Sequence, residues 1–135
     1  MKKTEVKKNN NGFSLVELIV VIAIMAVLVG VLAPQFIKYV EKSRESTDIQ
    51  NAEQVATAMK TYYVDQEGVT ANKSVTITNT GATGDTEALT DAGIAGIKLK
   101  SSKWGTGIVV TYHNDSGQTT VTGSALHYYA DGTKK

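Results

Sequence analysis

The chain contains no cysteine, which excludes disulfides, thiolate nucleophiles and cysteine zinc sites together. Only two histidines, His113 and His127, are available for general-base or imidazole-ligand chemistry. Neither sign of charge dominates. Fourteen Lys and Arg stand against thirteen Asp and Glu in 135 residues, a net charge of +1, and no global field argues for nucleic acid. No phosphate-binding loop, catalytic triad or paired-carboxylate scaffold is legible. The sequence reads as a non-enzyme, with no catalytic residue, no metal site and no cofactor.

What the chain does have is distributed unevenly. Residues 1–12, MKKTEVKKNNNG, carry four lysines and one glutamate. Residues 18–37, LIVVIAIMAVLVGVLAPQFI, carry no charge at all. As a helix this run is about 30 Å long, enough to cross the hydrocarbon core of a bilayer. The lysines before it predict that the N-terminal side stays cytoplasmic. A buried core helix is a poor alternative, because about a hundred further residues cannot wrap a helix that is apolar all round. A secretory signal peptide would share the basic start, but its apolar core is about 7–15 residues long and ends in a small-residue cleavage site.

The junction between these pieces is the most informative stretch. Gly12, Phe13, Ser14, Leu15, Val16, Glu17 and Leu18 set a glycine at a polar-to-apolar boundary and one carboxylate at the mouth of the apolar run. Ser14 and Glu17 have the spacing of a helix capping box, with Phe13 and Leu18 placed as its hydrophobic staple. A second explanation comes from charge. An ionised carboxylate at the centre of a membrane span costs about 2.5–3.5 kcal/mol, less near the interface, and no Lys or Arg follows Glu17 within a helical turn. A cut after Gly12 would create an amine on Phe13. Glu17 of one subunit could then pair with that amine on its neighbour. Both readings stay open on the residues alone.

The run GFSLVELIVVIAIMAVLVGVLAP resembles the N-terminus of type IV pilins and of their relatives, the pseudopilins and competence pilins. The resemblance covers about 25 residues, and the rest of the chain carries no comparable signature. It implies that residues 1–12 are a leader, that a prepilin peptidase cuts between Gly12 and Phe13, and that the same enzyme methylates the new amine of Phe13. It further implies that Glu17 and Phe13 act in subunit docking. Pro34 matches a proline common in the family's apolar helix. Many Gram-negative pilins staple the head with a disulfide, which this chain cannot do, and that fits a Gram-positive source; the resemblance is to a type IVa-like major pilin.

Pro34 lacks an amide hydrogen and opposes the carbonyl of Gly30, a conflict worth roughly 3 kcal/mol in a regular helix. Glycine is itself about 1 kcal/mol worse than alanine there. The turn 30–34 is therefore weak. It is either an ordinary kink or, as the resemblance implies, a segment that unwinds on packing into a filament. Beyond it the helix is expected to continue over residues 38–68 as an amphipathic element. Ile49, Ala52, Ala56, Met59 and Tyr63 form one apolar stripe, and Arg44, Glu45, Asp48, Gln54 and Lys60 lie opposite. Gly68 is the expected stop.

Residues 69–135 hold thirteen threonines and read as a small antiparallel sheet, giving an α+β fold in which the head packs on the second half of the helix. Strands are expected at 75–78, 97–100, 107–113, 118–123 and 125–130, with a polar loop over 80–91. The turn Asn114, Asp115, Ser116, Gly117 predicts a hairpin. Asp85, Glu87 and Asp91 fall in the expected loop without the spacing of a calcium-binding loop. Trp104 reads as a packing anchor in a turn. Four segments result: a leader (1–12), an apolar transmembrane or filament-core helix (13–37), its amphipathic continuation (38–68) and a β-rich head (69–135).

The leading expectation is a structural subunit of a type IV pilus. Its partners would be other copies of itself, the prepilin peptidase and N-methyltransferase, the pilus assembly platform with its ATPase machinery, and the cytoplasmic membrane before assembly. The subunit would be a single-pass membrane protein first and part of an extracellular filament afterwards. Subtracting the leader's four lysines and one glutamate leaves ten basic and twelve acidic residues, so no nucleic-acid partner is expected. The alternative is a pseudopilin of a type II secretion or competence DNA-uptake system. A single-pass protein with an extracellular binding head is a third reading, but it does not explain why glycine, phenylalanine and glutamate coincide.

Overall fold

In a computed structural model, Lys2 and residues 11–123 are described. The chain divides into two compact units, Met1–Tyr39 and Val40–Lys135. Helix α1, Leu15–Val64, supplies most of the described residues of the first and the spine of the second. It is followed by β1 (Lys73–Ile77), β2 (Ala82–Gly84), a short α2 (Glu87–Asp91), a 3₁₀ turn (Ser102–Trp104), β3 (Ile108–His113) and β4 (Gln118–Gly123). The strands form one antiparallel sheet in the order β2-β1-β3-β4. The second unit is thus an α+β head, in which the amphipathic half of the helix packs against a four-stranded sheet.

Period-two alternation builds the sheet half of the core. Val75 and Ile77 of β1, and Ile108, Val110 and Tyr112 of β3, point to the helix, while Thr76, Val109 and Thr111 alternate outward. The register pairs Val75 with Val110 and Ile77 with Ile108, so the apolar set lies on one face. The helix answers with Ala52, Val55, Ala56, Met59 and Tyr63, all buried, and a partly buried Ile49. The expected stripe is therefore present, widened by Val55. The β3–β4 hairpin also forms as expected, pairing His113 with Gln118 across the turn.

Three expectations fail. The stretch 80–91 is not a plain loop. It holds β2 and α2, because Thr83 pairs with Thr76 and because Ala88 and Leu89 drop into the core. Residues 97–100 form no strand. Leu99 is buried and its amide donates to the Thr78 carbonyl, but the Lys100 amide goes to a helix carboxylate instead of a ladder partner. Asp48 is fully buried and does not lie on the polar side of α1. The expected strand at 125–130, and His127 with it, lie outside the described residues.

The helix ends at Val64, and Gly68 follows with a positive φ of 94°. Gly107 has a stricter requirement. Its φ is 107°, and a Cβ there would collide with the Ile77 carbonyl oxygen across the β1–β3 pair. Gly107→Ala is expected to lower head stability by about 1–3 kcal/mol through backbone strain alone. Denaturation of the chain in detergent, followed by Trp104 emission, measures this directly, since Trp104 is the single tryptophan.

Candidate functional site

At the N-terminal junction the residues chosen from the sequence form a closed local arrangement. The Ser14 amide donates to Glu17 Oε2 at 2.8 Å, and the Glu17 amide donates to Ser14 Oγ at 3.2 Å. This is the reciprocal capping box, and it puts a carboxylate at the positive end of the helix dipole. The hydrophobic staple does not form with it. Phe13 is 94% exposed, and Leu18 is 57% exposed, so neither seats the other. The box uses only Ser14 and Glu17, which leaves Phe13 and the Gly12–Phe13 peptide bond uncovered. Gly12 itself is exposed and has nothing within 4 Å of where a Cβ would lie. A single bond to one carboxylate oxygen also leaves Glu17 Oε1 without a partner among the described residues.

From this cap, α1 presents apolar side chains on every side. Leu18, Ile22, Met25, Leu28, Leu32 and Ile37 are all more than half exposed. Its most apolar 18-residue window has a mean hydropathy of 3.1, with none of it buried in the chain, and α1 is long and apolar enough to cross a membrane. The helix is unbroken at Gly30 and Pro34 in the single chain. Apart from its chain neighbours and the surrounding helix backbone, nothing stands within 4 Å of a Cβ placed on Gly30.

This geometry frames what the comparisons find. Residues 7–33 match the family model described as the prokaryotic N-terminal methylation motif. The chain carries that motif. It begins within the lysine-bearing segment, takes in the capping box and the exposed Gly12–Phe13 bond, and ends one residue before Pro34. The type IV major pilin protein PilA of Myxococcus xanthus is 31% identical over 67 residues, covering 50% of this chain and 30% of the relative. The type IV major fimbrial protein FimA of Dichelobacter nodosus is 32% identical over 101 residues, covering 70% of this chain and 64% of the relative. The chain thus spans under a third of one relative and just under two thirds of the other. No solved structure matches it. Motif and relatives together support the type IV pilin family.

Outside the methylation motif, several of the head's polar groups tie its elements together. The Tyr63 hydroxyl donates to Glu87 at 2.8 Å. Asp85 accepts from the Ser74 amide at 2.8 Å and pairs with Lys73 at 3.4 Å. Among the described residues, no three His, Asp or Glu gather as a metal site would require, and Asp85, Glu87 and Asp91 do not converge. His113 lies on the outward sheet face between Asn72 and Thr120. Trp104 is buried in its 3₁₀ turn, as a packing anchor should be.

The group that sequence reasoning misplaced is Asp48. Its Oδ1 accepts from the Lys100 amide at 2.8 Å; its Oδ2 accepts from the Ser101 amide at 2.7 Å and from Trp104 Nε1 at 2.9 Å. Around it, the Ser101 hydroxyl donates to Glu41, and Lys103 pairs with Glu45. One face of α1 therefore pins the segment 100–104 through three carboxylates. The signal existed in the sequence, since Asp48 stands four residues before Ala52 at the head of the apolar stripe.

This latch has a pH signature. The bond from Ser101, above all, holds the Glu41 carboxyl below its ordinary value of 4.5, with Arg44 assisting and desolvation opposing. Its contribution is present above pH 4.5 and is lost as pH falls through the lower folded value. Lys103 is raised above 10.5 by its bond to Glu45, so that contribution is lost in strong alkali. Burial, then the bond to Glu87, raises the Tyr63 phenol well above its ordinary 10.0, and ionising the unfolded chain above that pH adds to the alkaline loss. Head stability should hence be level near neutrality and fall below pH 4.5. Ser101→Ala should flatten the acid limb in a pH series of Trp104-monitored denaturation.

Proposed function

We propose that the chain is the structural subunit of a type IV pilus. The observation that carries this reading is the coincidence, within residues 7–33, of the methylation motif, an uncovered Gly12–Phe13 bond, a capped carboxylate at Glu17 and an apolar helix with no cover of its own. Residues 1–12 act as a cytoplasmic leader, and the apolar part of α1 holds the precursor in the membrane. The prepilin peptidase cuts after Gly12 and methylates Phe13. The capping box is compatible with that cut, because its four bonded atoms belong to Ser14 and Glu17 alone. The helices of many copies then bundle, with the heads outside. Moving an apolar helix from lipid to protein yields little hydrophobic gain, so close packing and polar pairs must drive the step. Glu17 Oε1 paired with the Phe13 amine of a neighbour is that polar pair. Gly30 and Pro34 supply the turn that gives way as the helices pack. The subunit itself performs no catalysis. The Gram-positive reading rests on the missing cysteines alone, and the type IVa-like one on the N-terminal resemblance.

The test is intact mass on material sheared from native cells. A chain lacking residues 1–12 and heavier by one methyl group, abundant in the sheared fraction, is the expected result. The same processed mass confined to membranes would instead indicate a pseudopilin of a secretion or DNA-uptake system. A full-length chain would remove the processing role from Gly12 and Phe13.

A further inference from the structure

The head is electrically polarised along α1, and the two poles are complementary. At its Val40 end, α1 carries Lys42 and Arg44, and the latch brings Lys100 and Lys103 onto the following turns of helix, with the exposed Lys98 two residues before Lys100 in the chain. The three carboxylates there are all engaged: Glu41 with Ser101 and Arg44, Glu45 with Lys103, and Asp48 with three donors. Lys42, Lys98 and Lys100 are exposed and have no carboxylate in salt-bridge range among the described residues. At the Val64 end acids predominate over the exposed Lys60, one turn inside the helix, and Lys73, which is paired with Asp85. Asp65 and Glu67 follow directly on the helix, and the β3–β4 turn lies against Val64 at Gly117, which brings Asp115 to the same place. These three acids are exposed and likewise have no ion partner among the described residues.

Neither pole is explained by the head's own stability. The last turn of α1 contains no basic residue, and acidic groups beside a helix C-terminus oppose the dipole instead of complementing it. The poles cannot relieve one another. Lys42 and Val64 are about 33 Å apart on one helix, several times the roughly 8 Å over which charges interact at physiological salt.

We infer that the lysine pole of one head docks on the acidic pole of the next copy, a head-to-tail contact of Lys42, Lys98 and Lys100 with Asp65, Glu67 and Asp115. This rests on the filament reading above. A contact between unlike ends of identical subunits is heterologous and does not close, so it propagates along an axis. Subunits whose helices bundle in parallel meet in this sense and not with like poles together. Unlike potentials also fix register, because a slip toward like charges is strongly unfavourable.

Two variants test the contact in native cells: Lys42→Glu/Lys98→Glu/Lys100→Glu, and Asp65→Lys/Glu67→Lys/Asp115→Lys. Each places like charges at both poles. Either alone should lower the yield of sheared filament by about tenfold or more. Processing at Gly12 should be unchanged by intact mass, and Trp104 emission should report a folded head. Expressed together, the two chains should restore filaments holding both masses in comparable amounts, because each now complements the other. Normal filaments from either variant alone, or no rescue on co-expression, would overturn the contact. So would a lysine-reversed chain whose only defect is weaker binding to vesicles of anionic lipid, since the lysine pole would then be a membrane contact. Should a reversal disturb Trp104, neutral variants (Lys to Gln, Asp to Asn, Glu to Gln at the same positions) keep the test. They must lower filament yield and remove its dependence on salt, or the contact is wrong. Failure of the filament reading is distinguishable, because the unsubstituted chain would then yield no processed subunit in sheared material.

Discussion

Glu17→Gln is expected to leave processing intact and abolish filaments. The amide retains an acceptor for the Ser14 amide hydrogen, so the capping box survives in part while the negative charge disappears. Ser14→Ala makes the opposite change. It removes the acceptor for the Glu17 amide, at a cost of about 0.5–2 kcal/mol to the helix end, and keeps the charge. If Glu17 serves only as a cap, the two variants should assemble alike. If it pairs with a neighbour's Phe13 amine, filaments persist in Ser14→Ala and vanish in Glu17→Gln, and also in Glu17→Ala. Filament yield by shearing and the mass of the membrane-held chain read both outcomes. Abundant normal filaments from Glu17→Gln would remove the docking role.

Asp48→Ala should be the most damaging single change within the head. It removes the acceptor from three donors, the buried Ser101 amide and Trp104 indole and the part-buried Lys100 amide. An unsatisfied buried donor costs about 1–3 kcal/mol, so the loss is about 3 kcal/mol or more. Against the roughly 5–15 kcal/mol that holds a typical domain together, that is a large fraction. Asp48→Asn should cost less without being harmless. Its one oxygen can accept at the Oδ2 position, where two donors converge, but its amide nitrogen then faces the Lys100 amide, donor against donor. The ranking wild type, Asn, Ala in Trp104-monitored denaturation is the expected outcome. It should be accompanied by a red shift of Trp104 emission in Asp48→Ala as the indole meets water. An Ala variant as stable as the parent would mean that the segment 100–104 is held by packing alone.

The residues involved show why some of this chain was readable from sequence and some was not. The capping box of Ser14 and Glu17, the apolar run and the stripe from Ala52 to Tyr63 are short-range patterns, set by helix periodicity and by partners three or four residues apart. The β3–β4 hairpin is similarly local, since its turn residues sit between the strands they join. Expectations failed where a partner lay far along the chain. Residues 97–100 alternate like a strand, but a carboxylate some fifty positions earlier claims the Lys100 amide, and the Ile97 amide turns back to the Ile94 carbonyl. The stretch 80–91 looks polar and loop-like, but Ala88 and Leu89 find a core that only the folded sheet and helix create.

By itself, then, the sequence determined the character of the N-terminal third: a lysine-bearing segment ahead of Gly12, a helix that is apolar all round, and one carboxylate at its mouth. Those features depend on composition and near-neighbour spacing, and no tertiary contact is needed to produce them. Tertiary structure supplied the distant donors that make Asp48 a buried acceptor, where the sequence offered only its place at the head of the apolar stripe. It also decided that the segment bearing Lys100 is anchored on the helix near the end that carries Lys42, and that the turn bearing Asp115 lies at the end followed by Asp65 and Glu67. Burial and charge clustering depend on which distant segments meet, and that meeting is a property of the folded chain.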